Sequence, residues 1–213
     1  MGGPPPWAHL TLAARKLSLS DIAAALADRR PPTTLGAVPA GTQESAVLAI
    51  LYEEAGETHV ILTRRSPLMR HHAHEMSFPG GRRDPGDATL WTTAVRESVE
   101  EVALDPALIE PIGALDRFVT GGSGVLVQPF VAVANRRPEL SVASPREVES
   151  IRHVGMAELL LDEVWREEVW PDYRGRGDRA ITFFEVMGDT IWGATATMLR
   201  QLLAIATGTE DPQ

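Results

Sequence analysis

Apolar positions divide the chain into short elements. Residues 46–52 and 59–63 are runs rich in Val, Ile and Leu. Between them lies Glu54-Ala55-Gly56-Glu57, a turn-forming stretch, so a β-hairpin is expected. Residues 89–102 carry helical periodicity. Residues 112–119 and 125–134 read as strands around the loop Thr120-Gly121-Gly122-Ser123-Gly124. Residues 147–154 read as a further strand, leading into a helix near 156–165. A strand over 180–186 and a C-terminal helix over 193–206 complete the pattern. Near the start, Ser20 is placed to cap a helix through residues 21–29 that Pro31-Pro32 would stop. Residues 1–8 look loosely attached, 33–43 read as linker and 170–178 as a surface loop. Many short strands with few helices point to an α+β domain whose mixed sheet lies between helices. The boundaries expected are an N-terminal extension with one helix over 1–40, one domain over 41–207 and a disordered tail over 208–213. No internal repeat interrupts this order.

Composition changes the picture mainly by exclusion. With 213 residues the chain is ample for one full domain with a real core. It has no cysteine, which rules out disulfides, zinc thiolates, Fe–S clusters and a cysteine nucleophile. The formal net charge of −9 makes it a poor generic partner for nucleic-acid backbone, despite a local basic patch over 64–83. No apolar run is long enough to span a membrane, and residues 1–20 hold no signal-peptide core. Pro6 stands where a myristoylation signal requires Ser or Thr. A cytoplasmic protein with neither a nucleic-acid nor a membrane partner is expected.

The helix over 89–102 carries the first chemical signal. At about 100° per residue, Trp91, Val95, Val99 and Val102 fall within about 80° of one another and suggest a buried face. Glu97, Glu100 and Glu101 gather opposite, within about 100°. Carboxylates at i, i+3 and i+4 repel, by a few tenths of a kcal/mol (~0.2–0.5) per pair. A hard divalent cation with oxygen ligands would offset that. A solvated acidic face, partly balanced by Arg96 and Glu100 at i, i+4, is the other reading of the helix alone.

A glycine loop precedes the helix. Gly80-Gly81 is followed by Arg82, Arg83, Asp84 and Asp87. Glycine lets a backbone bend and approach a ligand closely, and arginine binds phosphate oxygens through several donors. Anion binding beside metal binding is the arrangement a diphosphate–Mg²⁺ complex requires. A plain strand-to-helix turn would use the same glycine pair.

Residues 80–104, GGRRDPGDATLWTTAVRESVEEVAL, resemble the Nudix box. Arg96, Glu97, Glu100, Glu101 and Leu104 match by position. Asp87 lies one residue further from the Arg-Glu pair than in the generic box. Ser98 stands in place of an apolar residue, and Ala103 in place of the second glycine. Upstream, residues 61–81, ILTRRSPLMRHHAHEMSFPGG, are similar to the signature of the coenzyme A pyrophosphatase branch. Leu62, Thr63, Arg65, Ser66, Arg70, Phe78, Pro79, Gly80 and Gly81 fall in place, whereas His74 occupies a glycine position. Weaker likenesses at 123–129, 147–148 and 191–196 extend the match over about residues 45–205.

The resemblance implies an α/β/α sandwich and water attack on a phosphorus of a diphosphate. It implies Mg²⁺ or Mn²⁺ held mainly by Glu97 and Glu101, with Glu100 as a third ligand and the Gly81 carbonyl as a further one. Arg96 would orient the carboxylates. Glu97 is the first choice of general base and Glu147 the second. Arg65, Arg70, His72, Gly80 and Arg82 would bind the substrate. That substrate would be nucleotide-like, coenzyme A or acyl-coenzyme A, giving 3′,5′-ADP and 4′-phosphopantetheine. ADP-ribose or NADH is the alternative, and a Nudix-fold binding module without turnover is a different class of reading. A homodimer is compatible with the N-terminal helix.

Other features are weaker. His71, His72 and His74 could bind Zn²⁺ or Ni²⁺, but no clear set of supporting ligands accompanies them. Residues 121–124 lack the Lys-Ser/Thr of a P-loop. Arg176-Gly177-Asp178 spells an adhesion tripeptide and is treated as chance. Trp165, Trp170 and Trp192 read as core or interface anchors.

Overall fold

The computed structural model describes residues 2–27, 29, 41–120, 124–175, 177–186 and 188–210. The proposed helix stop at Pro31-Pro32, most of the 33–43 linker, Gly121-Gly122-Ser123, Arg176 and the tail end 211–213 lie outside them. In chain order the first elements are α1 (Leu19–Ala27), β1 (Glu44–Glu54), β2 (Glu57–Arg65), β3 (Met76–Ser77), β4 (Gly80–Arg82) and α2 (Leu90–Val102). Then come β5 (Ile109–Ala114), β6 (Phe118–Val119), β7 (Leu126–Ala134), β8 (Val148–Gly155) and α3 (Met156–Leu159). Last are β9 (Trp165–Trp170), β10 (Arg179–Val186), β11 (Asp189–Trp192) and α4 (Gly193–Ala206).

β1 and β2 form the expected hairpin. It is closed by Ala55 and Gly56, with φ of 53° and 78°. Two positive φ values match the twist of the flanking strands. The strands then splay. β1 pairs with β2 over Leu51–Glu54 but with β4 over Ser45–Val47. β3 pairs with Thr63 and Arg64 of β2. The segment from β3 through Phe78-Pro79 to β4 thus fills the wedge, fixed by Leu48 N–H donating to Pro79 O at 2.9 Å. β7 runs parallel to β1, while its pairings with β5 and β6 are antiparallel, so the sheet is mixed.

Successive residues of a strand face opposite sides. Leu48, Ile50, Tyr52 and Ile61 pack with Leu90, Ala94 and Val102 of α2. Ala49, Leu51, Val60 and Leu62 pack on the other side with Ile22 of α1, Leu199 and Leu202 of α4, and Phe184 and Ile191. Burial on both faces explains the nearly continuous apolar runs of β1 and β2. This is the expected α/β/α arrangement. Phe184 and Ile191 belong to a second, antiparallel sheet ordered β11-β10-β9.

Several local expectations change. Ser18, not Ser20, caps α1: its Oγ accepts Asp21 N–H at 3.2 Å, and its own N–H donates to the Asp21 carboxylate at 3.1 Å. This reciprocal pair satisfies two donors at the helix start. The helix expected over 156–165 ends at Leu159, and Trp165 opens β9. Tertiary contacts decide this, because Trp165 packs edge-on against Trp7 and Phe184, with centroids 5.6 and 5.5 Å away. Residues 112–119 split between β5 and β6.

Residues 2–8 are also fixed rather than loose. Trp7 is fully buried, Gly2 N–H donates to Glu167 O at 3.0 Å and Trp165 Nε1 donates to Gly3 O at 3.1 Å. Arg15 is buried and pairs with Asp162 at 2.6 Å. At the other end Glu210 pairs with Arg29 at 2.8 Å. Among the described residues no helix is long and apolar enough to cross a membrane.

Candidate active site

The capping box Thr89/Thr92 fixes the start of α2: Thr89 Oγ1 accepts Thr92 N–H at 3.1 Å, and Thr92 Oγ1 accepts Thr89 N–H at 3.0 Å. At the other end Ala103 adopts the left-handed conformation, φ 54° and ψ 37°. That is the conformation glycine takes most easily, which accounts for the glycine of the resemblance at this position.

The packed face of α2 is rotated from the one expected. Leu90, Thr93, Ala94, Ser98, Glu101 and Val102 are buried, while Val99 is 38% exposed. The helix lies against β1 and the β4 loop through small residues. Ser98 donates its hydroxyl to Ala94 O at 2.7 Å, so it needs no outside partner. The glutamate stripe therefore runs into the packing surface. Glu101 is 5% exposed, and Glu97 is partly covered.

Three carboxylates converge there. Ligand oxygens of Glu97, Glu101 and Glu147 lie within 4.8 Å of one another. Glu147 arrives through the loop that caps the end of α2. Ala143 N–H donates to Glu101 O at 3.0 Å, and Ser141 N–H to Val102 O at 3.1 Å. A turn from Ser144 O to Glu147 N–H and Val148 N–H follows. Ser66 N–H donates to Glu147 O at 2.8 Å, tying the basic loop to the same point. Glu100 is not in this group. Its side chain is 57% exposed and accepts Arg96 Nη1 at 3.0 Å.

Burial sets the electrostatics. It pushes the Glu101 carboxyl up to about 7, against the pull of the Gly80 amide and Arg65, with repulsion from Glu97 and Glu147 adding to the rise. Burial also raises Glu97, opposed by Arg96 and reinforced by Glu100 and Glu147. Clustered, half-desolvated carboxylates of this kind favour a bound cation.

The glycine loop is shaped around them. Gly80 N–H donates to Glu101 Oε2 at 3.1 Å. A Cβ at Gly81 would lie 2.5 Å from the Glu97 carboxyl carbon; one at Gly80 would lie 2.3 Å from Ala46 O. A side chain is thus excluded at Gly80 by backbone, and at Gly81 it would displace the Glu97 carboxylate. The Gly81 carbonyl accepts Ser45 Oγ–H at 2.5 Å, which leaves its second lone pair for another partner.

Arg96 organises the outer edge. It grips Asp87 through Nε at 3.0 Å and Nη2 at 2.9 Å, donates to Arg82 O at 3.0 Å, and lies 3.1 Å from Glu97. The Arg96 guanidinium holds the Asp87 carboxyl well below the usual carboxylate range, helped by the Asp84 amide. Asp87 in turn raises Arg96. Asp87 thus anchors the residue that positions Glu97. Its place in the box hinted at this, but nothing in the sequence pointed to Ser45.

The remaining candidates are spread around the site. Arg65 lies close enough to act on Glu101. Arg70 and Arg82 are exposed. His72 lies at φ 61°, with Nδ1 2.9 Å from Glu75. His74, at φ 63°, lies 3.1 Å from Glu149. Among the described residues the histidines form no cluster of metal-ligand geometry.

Comparison with known proteins agrees with this geometry. The NUDIX domain family model matches residues 42–173. The chain is 33% identical over 192 residues to the uncharacterized Nudix hydrolase NudL of Klebsiella pneumoniae subsp. pneumoniae, covering 90% of this chain and 96% of that protein. It is 34% identical over 162 residues to the chloroplastic Nudix hydrolase 22 of Arabidopsis thaliana, covering 74% of this chain and 53% of that one. In fold it is similar to a MutT/nudix family protein from Enterococcus faecalis, with a TM-score of 0.51 at 14% identity, over 88% of this chain and 69% of that one. The matched domain contains the glycine loop, α2 and all three converging glutamates, and the chain belongs to the Nudix family of diphosphate-cleaving hydrolases, acting on a nucleoside diphosphate derivative.

Proposed function

We propose that the diphosphate linkage cleaved is that of coenzyme A or acyl-coenzyme A. The convergence of Glu97, Glu101 and Glu147 beneath Gly80-Gly81 carries the chemistry. The upstream stretch 61–81 supports the substrate. Its Phe78-Pro79-Gly80-Gly81 run fills the wedge between β1 and β2, and its Arg65 acts on Glu101.

The donor set fits Mg²⁺ or Mn²⁺: hard carboxylate oxygens, close together and partly desolvated, with a carbonyl lone pair beside them. Glu97 and Glu101 would hold the metal, with the Gly81 carbonyl beside them and Glu147 completing the set in the place expected for Glu100. When bound, the metal neutralises diphosphate charge and favours ionisation of water. The chain's own residues do the rest. Arg96, anchored by Asp87, holds Glu97 in place. Arg65, Arg70, His72 and Arg82 would hold phosphates, whereas the Gly80 amide, expected to join them, donates its one hydrogen to Glu101. Water adds to one phosphorus as the bridging P–O bond breaks, and a carboxylate of Glu97 or Glu147 accepts the proton. The products are 3′,5′-ADP and 4′-phosphopantetheine.

ADP-ribose or NADH is the second reading. It is favoured by His74, a bulky residue at positive φ where the coenzyme A branch has glycine. A product assay with Mg²⁺ or Mn²⁺ on coenzyme A, ADP-ribose and NADH decides between them. The expected result is 3′,5′-ADP from coenzyme A, abolished by Glu101→Gln. Cleavage of ADP-ribose or NADH alone would overturn the coenzyme A assignment.

A further inference from the structure

One cavity is lined by none of the three converging glutamates. It is a cleft of about 390 Å³ between the β3 side of the main sheet and the small sheet. Its walls include Trp170, Phe183 and Trp192, with Arg64, His74 and Asp189 around them. The rings are ordered. Phe183 and Trp192 are nearly parallel, at 10°, and Trp170 is inclined 39° to Trp192. The Arg166 guanidinium lies 4.0 Å from the Phe183 centroid. Rings that serve only as core are enclosed on all sides, yet Trp170 and Trp192 are only partly buried and border open space. Half-open aromatic walls suit a flat ligand, which gains by stacking.

The polar groups suit a heterocycle. Asp189 is buried and held by Arg64 at 3.0 Å and Arg152 at 3.2 Å. Arg64 also lies 3.3 Å from Glu149, which accepts from or pairs with His74 at 3.1 Å. The cleft therefore offers fixed donors and acceptors beside its rings. Its volume lies at the small end of ligand sites, suited to one ring system and not to a whole cofactor.

Its position connects it to the carboxylates. Arg64 and Arg65 are successive on β2, at a point where its pairing with β8 shifts register. Arg64 lines the cleft, whereas Arg65 acts on Glu101. Glu149, beside Arg64 and His74, lies two residues beyond Glu147. The cleft and the carboxylates thus flank one end of β2.

We propose that this cleft is the base subsite, taking the adenine ring of the nucleotide substrate by stacking on Trp192 and Trp170. The proposal rests on the nucleoside diphosphate reading above, whose candidate substrates all carry adenosine. A pantetheine arm, flexible and without a flat face, would gain little from these rings.

Binding without turnover tests it. Adenosine 5′-monophosphate is titrated by calorimetry in EDTA into the full chain and into Trp192→Phe and Trp192→Leu. The wild type and Trp192→Phe should bind alike, and Trp192→Leu should bind about tenfold or more weakly, as loss of a stacking partner predicts. Ribose 5-phosphate should bind far more weakly than adenosine 5′-monophosphate. Photolabelling of the wild-type protein with 8-azidoadenosine 5′-monophosphate needs no variant to fold. It should mark peptides bearing Trp170, Phe183 or Trp192. Unchanged binding by a folded Trp192→Leu, labelling only elsewhere, or displacement by pantetheine but not adenosine would overturn the proposal. If adenosine binding proves Trp192-dependent while no diphosphate is hydrolysed, the subsite stands and the substrate reading falls. If hydrolysis proceeds with unchanged KM in Trp192→Leu, the subsite falls and the substrate reading stands.

Discussion

Glu101 Oε2 accepts the backbone amide of Gly80 at 3.1 Å, joining the last turn of the acidic helix to the loop that precedes the helix. This bond brings a glutamate that is 5% exposed under a glycine whose surroundings leave no room for a side chain. A buried carboxylate with one amide partner is under-compensated. A cation at this point would relieve it. Thermal stabilisation by Mg²⁺ or Mn²⁺ is expected in the wild type and absent in Glu101→Gln, with turnover falling at least about a hundredfold. A metal-induced shift in melting temperature that survives the substitution would place the metal elsewhere.

The same group predicts the pH dependence of the metal-free protein. Its carboxyl is raised to about 7 in the fold, from an ordinary value of 4.5. Between these values the folded state binds more protons than the unfolded one, so stability is full below about 4.5 and falls as pH rises through about 7. The loss is on the order of 3 kcal/mol. Denaturant titrations in EDTA across this window should show it, and Glu101→Gln should flatten it.

Glu147 and Glu100 should separate in kinetics. Glu147 lies with Glu97 and Glu101, whereas Glu100 is exposed and paired with Arg96. Glu147→Gln should lower kcat by about 10²–10⁴, the range for loss of a general base. Glu100→Gln should leave kcat within about threefold, as for an exposed ion pair. Steady-state kinetics at saturating metal measures both; the reverse ranking would return Glu100 to the centre of the site.

The two loop glycines should fail differently. At Gly81 an added Cβ meets the end of the Glu97 side chain, which can swing away, so Gly81→Ala should lose about 10–100-fold in metal affinity with little loss of stability. At Gly80 it meets backbone at Ala46, with φ at 144°. Gly80→Ala should therefore destabilise the fold by about 2 kcal/mol or more. Metal titration and chemical denaturation of the two variants make the comparison.

Ala103 holds a left-handed conformation at the exit of α2. For a residue with a Cβ this costs about 1–2 kcal/mol, partly offset by the greater chain entropy of glycine when unfolded. Ala103→Gly should raise stability by about 0.5–1 kcal/mol, a rise in Tm of about 1–4 °C, with activity unchanged. Differential scanning calorimetry reads it directly, and a lower Tm would contradict the strain.

Local pattern and covalent order determined much of this protein. The hairpin of β1 and β2, the helix over 89–102 and the terminal helix α4 were legible because apolar periodicity and turn residues act over a few neighbours. The motif residues Arg96, Glu97 and Glu101 were legible for the same reason, being close in sequence. Only the tertiary structure decided which way α2 faces. A wheel ranks residues by polarity, but the glycine loop and the small residues Ala94 and Ser98 let the helix pack through Glu101, leaving Val99 outside. Glu147 reached the site through a loop that caps α2, a contact between segments far apart in the chain. Trp7 and Trp165 turned an apparently loose N-terminus and an expected helix into parts of one packed layer. Burial of large rings outweighs local propensity, because each ring removes more apolar surface from water than a turn of helix gains from its own backbone.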